Sequence, residues 1–239
     1  MADHQDWIEI EERDRFFAFL FLLPIEMSRH VSRAPLVTMV LIGACAVGFG
    51  YQILDIDGGA SLYLNTLVVS RATLYQVVTS AFMHGNLLHL LGNMYFLYAF
   101  GRLIEDRIGQ IGYLMTYMTC GIAAGAVFMW GHLGDDLQLM GASGAVSGIL
   151  GVYFILFPFR LVGWSIIFTV VRIPAFIYLV FWFLVQSQLW ESGVSGVAYE
   201  AHIGGFMAGA LIGAAIRLNL FGLNRFLVDL PDFQTIWKM

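Results

Sequence analysis

Apolar residues in this chain fall in long unbroken runs, and the polar positions gather between them. Six runs stand out: Leu36–Ile53, Phe82–Gly101, Ile111–Gly131, Met140–Phe159, Ile173–Trp190 and Ala201–Ile216. A hydrocarbon core about 30 Å thick takes roughly 20 apolar residues in a helix. The pattern therefore predicts an all-α membrane protein, a bundle of six transmembrane helices. Barrel strands would alternate apolar and polar residues, and these runs do not. Two apolar stretches are too short to span. Phe16–Ile25, with Pro24 inside it, reads as an interfacial segment, and Leu161–Val171, closed by Arg172 and Pro174, lies in the interface or extends a helix. The stretch Ser61–Ser80 is too polar to span and too apolar for a plain linker, so it predicts a structured loop against the membrane. The organisation expected is one six-helix domain over 35–218, between a cytoplasmic segment 1–34 and a cytoplasmic tail 219–239.

Charge supports this threading. With the N-terminus inside, every Lys and Arg except Arg71 falls on the cytoplasmic side, as the positive-inside rule requires. Composition agrees: 59% of the 239 residues are apolar and 12% charged, against about 45–50% and 25% in soluble domains. Cys45 and Cys120 both sit inside apolar runs and define neither a disulfide framework nor a thiolate metal site. A net charge of −5 without a basic stretch gives no footprint for nucleic acid. The acidic Met1–Glu12 lacks the basic start and small-residue cleavage site of a secretory signal.

Strongly polar residues inside a span are expensive and usually face a cavity or a partner. His84, His89 and Asn93 in the second run and His202 at the start of the sixth break the apolar pattern. The threading puts them at one depth, near the outer leaflet, level with the Gly141–Ala145 stretch that opens the fourth run. At 100° per residue His89 and Asn93 share a helix face, and His202 heads a row with Gly205, Gly209 and Gly213. Gly144 and Gly148, with Gly141 and Gly151 nearby, give the fourth run a matching row. Facing small residues let two backbones approach closely, which would bring Ser143 within reach of His202. Singly, each residue has a plainer role: a serine bonding its own helix, a histidine or asparagine joining two helices. Their convergence points to an activated serine nucleophile.

From Pro35 to Leu218 the sequence resembles the rhomboid proteases. Their Gly-x-Ser-Gly motif is matched by Gly141-Ala142-Ser143-Gly144, and their Ala-His-x-x-Gly-x-x-x-Gly motif by Ala201-His202 with Gly205 and Gly209. The His-x4-His-x3-Asn motif is matched by His84, His89 and Asn93, and Gly-x3-Glu by Gly101 and Glu105. The resemblance implies a bacterial-type six-helix rhomboid bundle with Ser143 as nucleophile and His202 as base, with no acidic third member. His89, Asn93 and the Ser143 N–H would form an oxyanion hole, supported by His84. It implies a transmembrane protein as substrate, no cofactor and no metal, and a multi-pass protein of the bacterial plasma membrane with both termini inside. Two positions depart from the family: Ser147, where Tyr or Phe often stacks on the histidine, and Tyr75-Gln76, where Trp/Tyr-Arg is usual. Two other classes fit parts of the pattern: an inactive rhomboid-like protein that binds transmembrane clients, and a proton or solute channel lined by the histidines.

Overall fold

The computed structural model describes residues 24–26, 33–54, 66–133, 135–166, 169–192 and 196–220. The chain is mostly helical. Helix α1 spans Leu36–Ile53, the short α2 Leu74–Thr79, and α3 Leu87–Phe96. α3 continues through a π turn at Leu97–Gly101 into α4, Arg102–Gly131. Three more follow: α5 (Ser143–Leu156), α6 (Ala175–Glu191) and α7 (Tyr199–Arg217). Within α4, Gly109 takes φ 77° and ψ 165°, which breaks the helical run into two. An L side chain rarely adopts that φ, so the glycine sits where the chain must bend.

Two helical runs among the described residues are long and apolar enough to cross a bilayer, Leu36–Ile53 and Leu87–Gly131; α5 is apolar but shorter. Val40, Val47, Ile111, Trp130 and Leu211 turn outward with most of their surface exposed. Apolar exposure on that scale fits a lipid surrounding and would be a liability in water.

The expectation of an all-α protein needs correction. Strand β1 (Pro24–Glu26) pairs antiparallel with β4 (Leu161–Ile166), which pairs in turn with β5 (Thr169–Pro174). The Leu161–Val171 stretch is thus part of a hairpin rather than the extension of a helix. Its composition explains the outcome: Val162, Ile166, Thr169, Val170, Val171 and Ile173 are β-branched and favour strands. Of the expected interfacial segment Phe16–Ile25, Pro24 and Ile25 belong to β1, and residues 16–23 lie outside the described residues. Most of segments 1–34 and 219–239 lies outside them too. A second small sheet joins β2 (Leu67–Val68) to β3 (Gln138–Leu139). With Val69–Arg71 as a 3-10 turn followed by α2, the Ser61–Ser80 stretch is structured over residues 66–80, and residues 61–65 lie outside the described residues. Gln76 closes a capping box with Thr73 at the start of α2, accepting the Thr73 N–H at 3.1 Å. That is its local role at the departure from the family pattern.

The core centres on α5, which packs against both α4 and α7, themselves in direct contact. Its small residues set the spacing. A Cβ on Gly148 would meet the Cys120 side chain, and one on Gly151 would run into the Phe206 carbonyl. One on Gly209 would overlap the Gly148 backbone. The facing glycine rows expected from sequence therefore form a backbone-to-backbone seam.

At the far end of the fold from Ser143, Glu105 is buried and caps α1. Its carboxylate accepts the Val37 N–H at 2.9 Å, and the Thr38 N–H and hydroxyl at 2.8 Å each. Helix N-termini leave their first N–H groups without intrahelical partners, and Pro35 offers no side-chain cap. Replacing Glu105 by alanine strands these donors in a buried place, which costs about 1–3 kcal/mol each. Thermal unfolding of the detergent-solubilised protein is expected to show Glu105→Ala clearly destabilised and Glu105→Gln, which keeps one acceptor oxygen, less so. Equal midpoints for Glu105→Ala and wild type would contradict the capping role.

Candidate active site

Ser143 is the first residue of α5, and the turn before it is held from three sides. Gly141 has φ 117°, a conformation that favours glycine. Its N–H donates to the Ser80 carbonyl at 2.8 Å. The Ala142 N–H donates to His84 Nε2 over a long 3.5 Å. His84 is almost fully buried, and Gln52 of α1 fixes its backbone, accepting its N–H at 3.0 Å and donating to its carbonyl at 3.2 Å. His84 therefore underpins the turn that presents Ser143.

His89 and Asn93 reach the same turn from α3. Asn86 caps that helix by accepting the His89 N–H at 2.8 Å, so His89 sits in its first turn and Asn93 one turn further. A Cβ placed on Gly141 would lie 2.8 Å from His89 Nε2 and 3.7 Å from Asn93 Nδ2. Both nitrogens thus converge on the residue two before Ser143. The His84 and His89 rings meet edge to face at 5.2 Å. Asn93 is 7% exposed, and its Nδ2 is buried without a hydrogen-bond partner. Buried donors in folded proteins are nearly always paired. An unpaired amide beside the positive end of a helix marks a place where an acceptor is expected.

His202 lies in the first turn of α7, half-buried. Its Nδ1 lies 2.7 Å from Gln186 Oε1 on α6. With the ring nitrogen donating to that carbonyl oxygen, Nε2 carries no proton and is free to accept one. Trp182, one turn before Gln186, lies 29° from parallel to the imidazole with centroids 6.4 Å apart; Tyr199 approaches edge-on at 6.2 Å. Ser147 takes no part in this wall, because its buried hydroxyl donates to the Ser143 carbonyl at 2.7 Å. The aromatic neighbours of His202 come from α6 and α7 rather than from position 147.

The two helix ends that carry Ser143 and His202 are in backbone contact. A Cβ on Gly144 would come 3.7 Å from the Ala201 carbonyl oxygen, and one on Gly205 would run into the Gly144 carbonyl. Among the described residues Ser143 and His202 make no direct hydrogen bond. Nucleophile–base bonds are often open in substrate-free enzymes and tighten in the complex. A cavity of about 20 Å³ lies beside the turn, lined in part by Ser80, Gly141, Gly144 and Ala201. That volume holds one water.

The residues singled out by sequence thus share one neighbourhood: Ser143, His202, His89, Asn93 and His84, with Gly141, Gly144 and Gly205 shaping the backbone and Gly209 extending the seam. Gln52, Trp182, Gln186 and Tyr199 were not singled out. For Gln186 a signal existed, since a primary amide inside an apolar run is as costly as the residues that did draw attention. Trp182 and Tyr199 carry no such signal in an aromatic-rich chain.

Comparison with known proteins identifies a family. The family model described as the Rhomboid domain matches residues 71–219. "Rhomboid-like protein 11, chloroplastic" of Arabidopsis thaliana is 41% identical over 78 residues, 33% of this chain and 28% of the relative. "Rhomboid protein 1, mitochondrial" of Saccharomyces cerevisiae is 30% identical over 146 residues, 57% of this chain and 40% of the relative. "RHOMBOID-like protein 4" of Arabidopsis thaliana is 30% identical over 169 residues, 68% of this chain and 41% of the relative. The chain therefore spans less than half the length of each of these relatives. The domain match runs through more than half of the chain and includes every one of the convergent polar residues from His84 to His202, and on that ground the chain belongs to the rhomboid family of integral membrane proteins.

Proposed function

We propose that the protein is an intramembrane serine endopeptidase that hydrolyses peptide bonds in or near the transmembrane helices of other membrane proteins, using Ser143 and His202 as a dyad. The observation that carries the reading is the pair of nitrogens, His89 Nε2 and unpaired Asn93 Nδ2, turned onto the Gly141 turn that presents Ser143.

In this reading Ser143 Oγ attacks the scissile carbonyl and gives its proton to His202 Nε2. The negative oxygen that forms takes hydrogen bonds from Asn93 Nδ2–H, His89 Nε2–H and the Ser143 backbone N–H, at the positive end of α5. His202 returns the proton to the leaving amine, and the acyl group stays on Ser143. Water then attacks that ester with His202 again as base, which restores the hydroxyl. A helical substrate hides its peptide bonds in its own hydrogen bonds, so the scissile segment must unwind to reach Ser143. Substrates with helix-breaking residues near the outer face are favoured.

The same reading has the chain crossing the bilayer six times. The break at Gly109 supports two crossings within Leu87–Gly131, and the bias of Lys and Arg supports cytoplasmic termini. The bacterial type and plasma-membrane address expected from sequence belong to this proposal; the mitochondrial and chloroplastic names of the relatives do not add to them. Against a channel stands the placement of the polar residues near one end of the helices, with no polar path through α5, whose remaining residues are apolar apart from Ser147 and Tyr153.

Cleavage of a model transmembrane substrate by the full chain in proteoliposomes is expected to disappear in Ser143→Ala and in His202→Ala. Persistent cleavage in either removes that residue from the dyad. Asn93→Ala is expected to slow cleavage by about 10²–10³-fold, the cost of one oxyanion donor, with the thermal midpoint little changed. A variant as fast as wild type would take Asn93 out of the oxyanion site. Gly141→Ala is expected to be inactive, since the new methyl would press on His89 at 2.6 Å and the backbone would lie in a strained region. Retained activity there would mean that the turn adopts another shape.

A further inference from the structure

We infer that Gln186 is the positioning residue of the dyad: its amide oxygen holds His202 as the Nδ1–H tautomer and turns Nε2 toward Ser143. The inference rests on the protease reading and adds to it the third member that a bare dyad lacks.

A histidine base must have one nitrogen free of its proton and aimed at the nucleophile. In serine proteases of the triad type a carboxylate does this by accepting from Nδ1–H, and loss of that orientation is costly. No carboxylate contacts His202 among the described residues. What contacts its Nδ1 is Gln186 Oε1 at 2.7 Å, the length of a strong bond. Gln186 is buried, 9% exposed, on a helix that also sets Trp182 beside the ring. Residues 182 and 186 are one helical turn apart and therefore share a face. One face of α6 supplies both the hydrogen-bond anchor and an aromatic neighbour for the imidazole.

An amide is suited to this place. A carboxylate buried among apolar helices would carry a heavy desolvation cost unless it were paired. The amide oxygen accepts the same bond without a net charge. It fixes direction while giving less electrostatic support to the imidazolium that forms during the reaction. The nearby acidic side chain, Glu200, faces His132 instead, at 3.5 Å.

The test uses the full chain in detergent and a fluorescent fluorophosphonate that reacts with an activated serine hydroxyl, followed as rate against pH. Ser143→Ala is measured beside the Gln186 variants. Labelling of Ser143→Ala at the wild-type rate overturns the protease reading itself. With labelling dependent on Ser143, Gln186→Leu is expected to react about 10²-fold more slowly, since a positioned general base contributes about 10²–10⁴-fold. Gln186→Glu can only accept from Nδ1–H, so it is expected to react much faster than Gln186→Leu. Its carboxylate also favours the protonated imidazole, so the acid limb of its profile moves to higher pH. A role in packing alone moves neither the limb nor the ranking of the two variants. The inference is overturned by Gln186→Leu reacting like wild type, or by a folded Gln186→Glu no faster than Gln186→Leu. Should Gln186→Leu fail to fold, an acid limb in Gln186→Glu identical to wild type overturns it equally.

Discussion

The contact between the backbones of α5 and α7 sets the geometry of everything else. Lipid tails are as apolar as leucine, so helices in a membrane gain little by hiding apolar surface from them, and close packing has to come from shape. Gly144, Gly148 and Gly151 on one helix meet Gly205, Phe206 and Gly209 on the other, with no room for a Cβ at Gly205 or Gly209. Ser143 precedes the first glycine of one row, and His202 lies nearly one turn before the first of the other. Once the rows meet, the two helix ends come together with them. The seam does not place the imidazole by itself. That falls to α6, through Gln186 and Trp182, and the turn before Ser143 depends in addition on Ser80, His84 and Gln52.

Two buried polar side chains show how the fold divides structural from chemical use of polarity. Glu105 is fully engaged: three donors at the start of α1 meet its carboxylate, and the helix end is satisfied. Asn93 is the reverse case, with a buried amide nitrogen that meets no acceptor. The first arrangement lowers the free energy of the folded chain. The second leaves a hydrogen-bonding capacity unused, beside the Gly141 turn, where the proposed mechanism places the substrate oxygen. Functional sites are where such local inconsistencies are expected to survive.

Much of this was legible in the sequence because the signals were local. Long apolar runs gave the helices, and interruptions of them gave His84, His89, Asn93 and His202. Glycine spacing gave the seam. The missed features were those in which the signal depends on context. The hairpin β4–β5 is hard to foresee because a short apolar run fits several structures. The sequence between Ile166 and Thr169 holds no Asn-Gly or Asp-Gly pair, the strongest short-range signal of a hairpin. Helix limits also moved: the second run starts at Leu87 rather than Phe82 and continues past Gly101 to the break at Gly109. For Gln186 the apolar run around it flags the amide, but not its partner. Only the approach of α6 to α7 shows what it bonds.

The most direct test of the account is an experimental structure of the full chain after reaction with a fluorophosphonate, in which the phosphoryl oxygen stands in for the negative oxygen of the reaction. The account predicts phosphorus bonded to Ser143 Oγ, and its oxygen within hydrogen-bond reach of Asn93 Nδ2 and His89 Nε2 while His202 keeps its bond to Gln186. Phosphorus on another residue, or its oxygen pointing away from both α3 side chains, would contradict it.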